Sequence, residues 1–247
     1  MSVYDRYDNV VFLDTETTGL DPAKEQIIEL AMLTAWKGKV IEEYDQYVSL
    51  NSNHDRLPDK ITELTGITDD ILKKNGIPEK EMSRELNERI SRPGGTLIVA
   101  YNTQFDASFL KNTATRQASI DLMQSLKRCD YLDALTMFRD RASYPHKLSD
   151  AIKWYGLGDK VKNSHRAVDD TKALKEIFDA MTKERDDSEK YVNLFGYNPK
   201  YGIKDENKLP GIIYAAQNFN KWMTDEKNAL YSKAPEPPVK SGKSIER

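Results

Sequence analysis

The stretch Asn9-Val10-Val11-Phe12-Leu13-Asp14-Thr15-Glu16-Thr17-Thr18-Gly19-Leu20 decides how this chain is read. Its opening, Asn9–Leu13, is a short apolar run of the kind that forms a buried strand. Side chains on an extended strand alternate faces, so Val10, Phe12, Asp14 and Glu16 point the same way. Two carboxylates therefore emerge together at the C-terminal end of the strand. Side by side they repel, and their approach is costly unless a cation lies between them. Hard carboxylate oxygens suit Mg²⁺ or Mn²⁺. Taken alone, an Asp-x-Glu after an apolar run reads equally well as two ordinary polar residues in a loop.

Working outward, Ile27–Thr34 is a second strand, Lys37-Gly38-Lys39 a hairpin turn and Val40–Val48 a third strand. Short connections make these three an antiparallel meander. Helical stretches follow at Asp59–Leu64, Asp69–Lys74 and Glu79–Ile90, and Gly94-Gly95 breaks the chain before the strand Thr96–Ala100. A helix from Ala107–Asn112 and another near Ser119–Leu126 precede a short strand near Arg128–Asp130. Helices at Leu135–Arg139, Lys147–Tyr155 and Ala167–Lys183 complete the pattern. A meander followed by alternating strands and helices predicts an α/β fold with a mixed five-stranded sheet.

Two further motifs sit at element ends. Asn102-Thr103-Gln104-Phe105-Asp106 follows the strand Thr96–Ala100. Asp106 reads as the N-cap of the next helix, a position compatible with facing a metal. His165-Arg166-Ala167-Val168-Asp169-Asp170 opens the last helix, whose apolar face is Leu174, Ile177 and Met181. Asp170 lies four residues before Leu174 and projects from that inward side, whereas Asp169 falls with Lys172 and Glu176. A carboxylate on the core face is expensive unless paired or metal-bound, which selects Asp170 over its neighbour. His165 precedes the helix and can reach the same site. His54 and His146 stand apart from any recognisable carboxylate constellation.

The chain has 247 residues, 38% hydrophobic and 31% charged, with a net charge of −3. This suits a soluble globular protein, and no apolar run approaches the roughly 20 residues of a membrane span. Bulk coating of nucleic acid, which calls for a basic footprint, is disfavoured. An enzyme gripping a few nucleotides through bound cations is not, since the ions supply the positive charge. The start, MSVYDRYDNV, has no secretory pattern. The single Cys129 forms no internal disulfide, and both features point to the cytoplasm.

Together the motifs DTETTGL (14–20), NTQFD (102–106) and HRAVDD (165–170) resemble the histidine-containing branch of the DEDD exonuclease superfamily. Its relatives include the proofreading subunit of bacterial replicative DNA polymerase. The resemblance covers about residues 8–182 and includes Leu64-Thr65-Gly66-Ile67-Thr68. It implies a ribonuclease H-like fold and a 3′→5′ exonuclease that uses two Mg²⁺ or Mn²⁺ ions and releases nucleoside 5′-monophosphates. By resemblance, Asp14, Glu16 and Asp170 ligate the metal that activates water, Asp14 bridges to a second metal, Asp106 supports the pair and His165 is the general base. Thr15, Thr17, Gly19 and Leu20 would border the 3′-terminal nucleotide, Leu64 and Ile67 would pack on its base or sugar, and Asn102 and Phe105 would line the neighbouring position. For Leu64, Ile67 and Phe105, core packing is an equal reading.

The substrate implied is the 3′ end of single-stranded DNA, with RNA as the alternative polymer. No polymerase motif is present, so proofreading by this chain would act in trans. The domain expectation is a catalytic unit over residues 1–182, an extension over 183–233 and a disordered tail over 234–247. Lys183–Lys190 is a charge run, read as a solvated face or linker. The aromatics Tyr191, Phe195, Tyr197, Tyr201, Tyr214, Phe219 and Trp222 beyond it read as a packed extension. They read alternatively as a segment that docks on a polymerase, in a chain where binding matters more than catalysis, or as a base-stacking surface.

Overall fold

A computed structural model describes residues 2–196 and 208–214. Tyr197, Tyr201, Phe219, Trp222 and the tail over 234–247 lie outside the described residues. The chain opens with a one-turn helix absent from the sequence reading, α1 (Val3–Arg6). The meander follows as β1 (Asn9–Thr17), β2 (Ile27–Trp36) and β3 (Lys39–Tyr47). β1 thus runs straight through the acidic motif rather than ending before it. Lys37 and Gly38 take φ of 49° and 78°, as a two-residue hairpin turn matched to strand twist requires. Then come α2 (Asp59–Thr65), α3 (Asp69–Asn75), α4 (Glu79–Ile90) and β4 (Thr96–Ala100).

α5 (Thr103–Arg116) starts earlier than the sequence indicates. Asn102 is its N-cap at φ 72°, and Asp106 lies inside the first turn instead of capping it. The cause is distant: Asp133 Oδ1 accepts the Asn102 and Thr103 amides at 2.9 and 3.2 Å. α6 (Ile120–Arg128) and β5 (Asp130–Asp133) follow, the strand beginning where the sequence reading had it end. α7 (Ala134–Arg139), α8 (Leu148–Trp154) and α9 (Ala167–Glu184) complete the sequence of core helices. A 3₁₀ turn (Ser188–Tyr191) and the two-residue strands β6 (Leu194–Phe195) and β7 (Ile213–Tyr214) come last.

The main sheet has the order β3-β2-β1-β4-β5, antiparallel among β1, β2 and β3 and parallel from β1 through β4 to β5. This is the mixed five-stranded sheet expected. Both faces of β1 are covered, which explains its near-continuous apolar run. Val10 and Phe12 face Leu174, Ile177, Phe178 and Met181 of α9. Val11 and Leu13 face the opposite layer, with Phe109 and Leu110 of α5 and Met82 and Leu86 of α4. α9 therefore crosses the same sheet face on which Asp14 and Glu16 emerge.

The charge run after α9 is not a free linker. Arg141, whose side chain is fully buried, pairs with Asp187 at 2.5 Å, and Ser188 is buried. Of the aromatics beyond, Tyr191 and Phe195 are buried in the two core layers, and Tyr214 packs against Phe195 with ring centroids 5.9 Å apart. No helix among the described residues is long and apolar enough to cross a membrane.

Candidate active site

Asp14 and Glu16 stand on consecutive same-face positions of β1, and Asp170 lies in the first turn of α9. One oxygen from each comes within 4.8 Å of the others. Asp170 is buried on the core face of its helix, as its phase indicates, while Asp169 turns away and accepts a hydrogen bond from Ser164 Oγ at 2.6 Å. Asp170 is steadied by the segment before the helix: Asn163 Nδ2 donates to its Oδ2 at 2.7 Å and the Ser164 amide to its Oδ1 at 3.2 Å. Asp106, from α5, is buried and accepts a hydrogen bond from Thr15 Oγ1 at 2.7 Å. It stands beside Asp14 but outside the close triad. Its charge acts on Asp14 directly, ahead of the charges of Glu16 and Asp170.

These carboxylates hold protons unusually tightly. Burial, with the neighbouring acids adding to it, pushes Asp14 well above the ordinary carboxylate range. Glu16 is pushed up to about 8, by burial first and then by the charges of Asp170 and Glu29. Burial raises Asp106 as well, against the hydrogen bonds it accepts. Asp170 is raised by burial, which outweighs the bond from Asn163 and the nearby His165. Among the described residues no Lys, Arg or His lies within ion-pair distance of Asp14 or Glu16. Hard oxygen donors, clustered and partly to fully buried, with no ion-pair partner on Asp14 or Glu16 among the described residues, fit a divalent cation.

His165 is exposed, near enough to Asp170 for its charge to act on it, and takes φ of 55°, in the left-handed region. The next residue, Arg166, reaches back to β2, where its Nε and Nη2 donate to Glu29 at 3.1 and 2.7 Å. Glu29 is a functional candidate that the sequence reading passed over. The signal was present: a lone acid inside the apolar run Ile27–Leu33 is expensive unless it is paired.

The expected substrate contacts divide. Leu20 and Leu64 are apolar side chains left 65% and 48% exposed, so both are open to a ligand. Ile67 is fully buried among Ile28, Leu57 and Leu72, so its side chain fills the core instead of lining an open surface. Phe105 is partly buried against Phe109, ring centroids 4.9 Å apart. Asn102 is held at the start of α5 through its amide, as described above. Thr17 Oγ1 donates to the Gly19 carbonyl at 2.6 Å, and Gly19 sits against the Glu25 carboxyl group. His54, isolated in sequence from any carboxylate motif, has partners here. Its Nε2 is 3.0 Å from Glu25 Oε2 and 3.2 Å from Thr18 Oγ1, because the loop after β1 folds back upon it.

Comparisons with known proteins bear on the family and the fold. An exonuclease family model, RNase_T, matches residues 11–178. The DNA polymerase III PolC-type of Clostridium perfringens is 30% identical over 85% of this chain and 14% of its own length. That of Halalkalibacterium halodurans is 33% identical over 70% of this chain and 11% of its own. The chain thus spans only a small part of the curated relatives it matches. Among solved structures, E. coli Exonuclease I in complex with a dA16 oligonucleotide superimposes with a TM-score of 0.64 at 19% identity, over 74% of this chain and 42% of that one. This last likeness is one of fold, and the sheet and its flanking helices are ribonuclease H-like. With the family match spanning the sheet and all three acidic motifs, the chain belongs to the RNase_T exonuclease family.

Proposed function

We propose that this exonuclease works in the 3′→5′ direction on single-stranded DNA and releases nucleoside 5′-monophosphates with the help of two Mg²⁺ or Mn²⁺ ions. The observation that carries the reading is the convergence of Asp14, Glu16 and Asp170 within 4.8 Å, with no ion-pair partner on Asp14 or Glu16 among the described residues. Direction and polymer rest on likeness: the relatives are DNA polymerases, and the fold neighbour holds a deoxyoligonucleotide.

Asp14, Glu16 and Asp170 would hold the ions, with Asp106 beside them. When bound, such ions supply Lewis acidity to the scissile phosphate and lower the pKa of water. The protein's own groups do the rest. His165 accepts a proton from the attacking water, a task that suits an imidazole at neutral pH. The water oxygen bonds to phosphorus as the bond to the penultimate nucleotide's O3′ breaks; that oxygen takes up a proton from solvent, and the phosphate stays on the 5′ oxygen of the terminal nucleotide. Asn163 and the Ser164 amide fix Asp170, and Thr15 fixes Asp106. Leu20 and Leu64 offer apolar surface to the terminal base or sugar. Residues 1–182 form the catalytic unit in this reading and 183–233 its extension. A cytoplasmic setting suits the buried free thiol of Cys129.

The test is a time course on a 5′-labelled single-stranded oligonucleotide with Mg²⁺, Mn²⁺ or chelator, with a matched RNA in parallel. A descending DNA ladder that chelator abolishes supports the proposal. Internal cuts, shortening from the 5′ end, or chelator-insensitive decay overturn it, and faster loss of the RNA replaces DNA with RNA as the substrate.

A further inference from the structure

Glu16, Glu29 and Tyr47 lie in one rung across β1, β2 and β3. Glu29, in the middle, is fully buried. Its two oxygens accept from Arg166 Nε and Nη2 and from the Ala167 amide, the last at 3.0 Å. Arg166 also donates to the Tyr47 hydroxyl and stacks over its ring at 5.2 Å. Burial first, and then the charge of this Glu29 carboxylate, raises Asp45 on β3.

His165 therefore sits between two anchors. On its N-terminal side, Asn163 and Ser164 are tied to Asp170. On its C-terminal side, Arg166 and Ala167 are tied to Glu29. A non-glycine residue persists in the left-handed region only where its surroundings over-determine it. The two anchors supply that constraint. The bidentate geometry of an Arg–carboxylate pair adds direction as well as attraction.

We infer that Glu29 is a positioning residue: through Arg166 and the Ala167 amide it holds the 163–167 segment in the conformation that presents His165 to the carboxylate cluster. The inference rests on the proposed exonuclease role of His165. Glu29 touches no reacting atom, and its effect passes through the backbone of that segment.

The test uses the full chain and the variants Glu29→Gln, Arg166→Lys, His165→Ala and Glu29→Gln/His165→Ala. Three quantities are read: single-turnover rate on 5′-labelled DNA, Mn²⁺ affinity by EPR, and amide hydrogen exchange across residues 163–167. Glu29→Gln should slow turnover about 10–100-fold, the scale typical of losing a partner that orients a working ligand. Mn²⁺ affinity should stay within about twofold, and Ala167 exchange should rise about tenfold or more. In the His165→Ala background the same change should cost less than about twofold, because the group it positions is gone. Arg166→Lys keeps the charge but not the fork, and should fall in the same direction by less. It also covers the case in which Glu29→Gln does not fold. An undiminished rate with protected Ala167, or an equal loss with His165 absent, overturns the inference. Should the wild type leave DNA intact, the functional reading fails separately, and the exchange data alone decide whether the Glu29 anchor exists.

Discussion

Glu16 and Glu29 face each other across β1 and β2, yet the molecule treats them in opposite ways. Glu29 is fully buried and its charge is met by Arg166 and a backbone amide. Glu16 lies with Asp14 and Asp170, and no protein cation pairs with it among the described residues. Burying a charge is tolerable when it is paired and hydrogen-bonded, and costly otherwise. One carboxylate is thus a finished structural contact, and its neighbour is a group we assign to the proposed cation site. The contrast teaches that acidity alone marks neither role, and that the counter-charge does.

Breaking the unbalanced side should have the largest effect. Asp14→Asn should reduce exonuclease turnover by about 10³-fold, the scale of losing a group that stabilises the transition state directly. The same change should leave the metal-free melting temperature unchanged or raised, since it removes a carboxyl group whose ionisation burial and neighbouring acids already oppose. A parallel measurement of rate and thermal unfolding in chelator checks both halves, and a large drop in stability would place Asp14 with Glu29 as a structural acid.

His165 stands between the two regions and should come next. His165→Ala should lower turnover by about 10²-fold while keeping Mn²⁺ affinity. A wild-type rate in this variant would remove the histidine from the chemistry.

A third effect concerns stability. The clustered carboxylates bind protons more tightly in the folded chain than in the unfolded one, Glu16 up to about 8. From roughly pH 4, where ordinary carboxylates titrate, to about 8, the folded chain therefore carries more protons. Its metal-free stability then falls as pH rises through that window. Divalent ions take the place of the protons, so the rise in melting temperature on adding Mg²⁺ should be larger at pH 8 than at pH 5. Calorimetry at both values tests the sign, and an equal rise would contradict it.

The smallest effect belongs to the rim. Leu20→Ala should raise KM about threefold or more with kcat nearly unchanged, because removing a partly exposed apolar contact costs about 1 kcal/mol. An unchanged KM would take Leu20 out of the binding surface.

Much of this site was legible in the sequence because it rests on local periodicity. Strand alternation puts Asp14 and Glu16 on one face, and helix phase separates Asp170 from Asp169. What escaped depends on contacts between distant residues. The start of α5 is set by Asp133, about 30 residues away, so Asp106 falls inside the helix and not at its cap. His54 acquires Glu25 only when the loop after β1 closes. For Ile67, where sequence leaves substrate contact and core packing both open, packing against Ile28 and Leu72 claims the side chain. Glu29 could have been found by asking why a strand with fully buried neighbours keeps one acid.

The most direct test of the central claim, that the unpaired cluster is a cation site and the paired glutamate is not, is Mn²⁺ binding followed by EPR in wild type, Asp14→Asn and Glu29→Gln. The expected result is loss of tight binding in Asp14→Asn and near-wild-type affinity in Glu29→Gln. Wild-type affinity in Asp14→Asn would contradict the account.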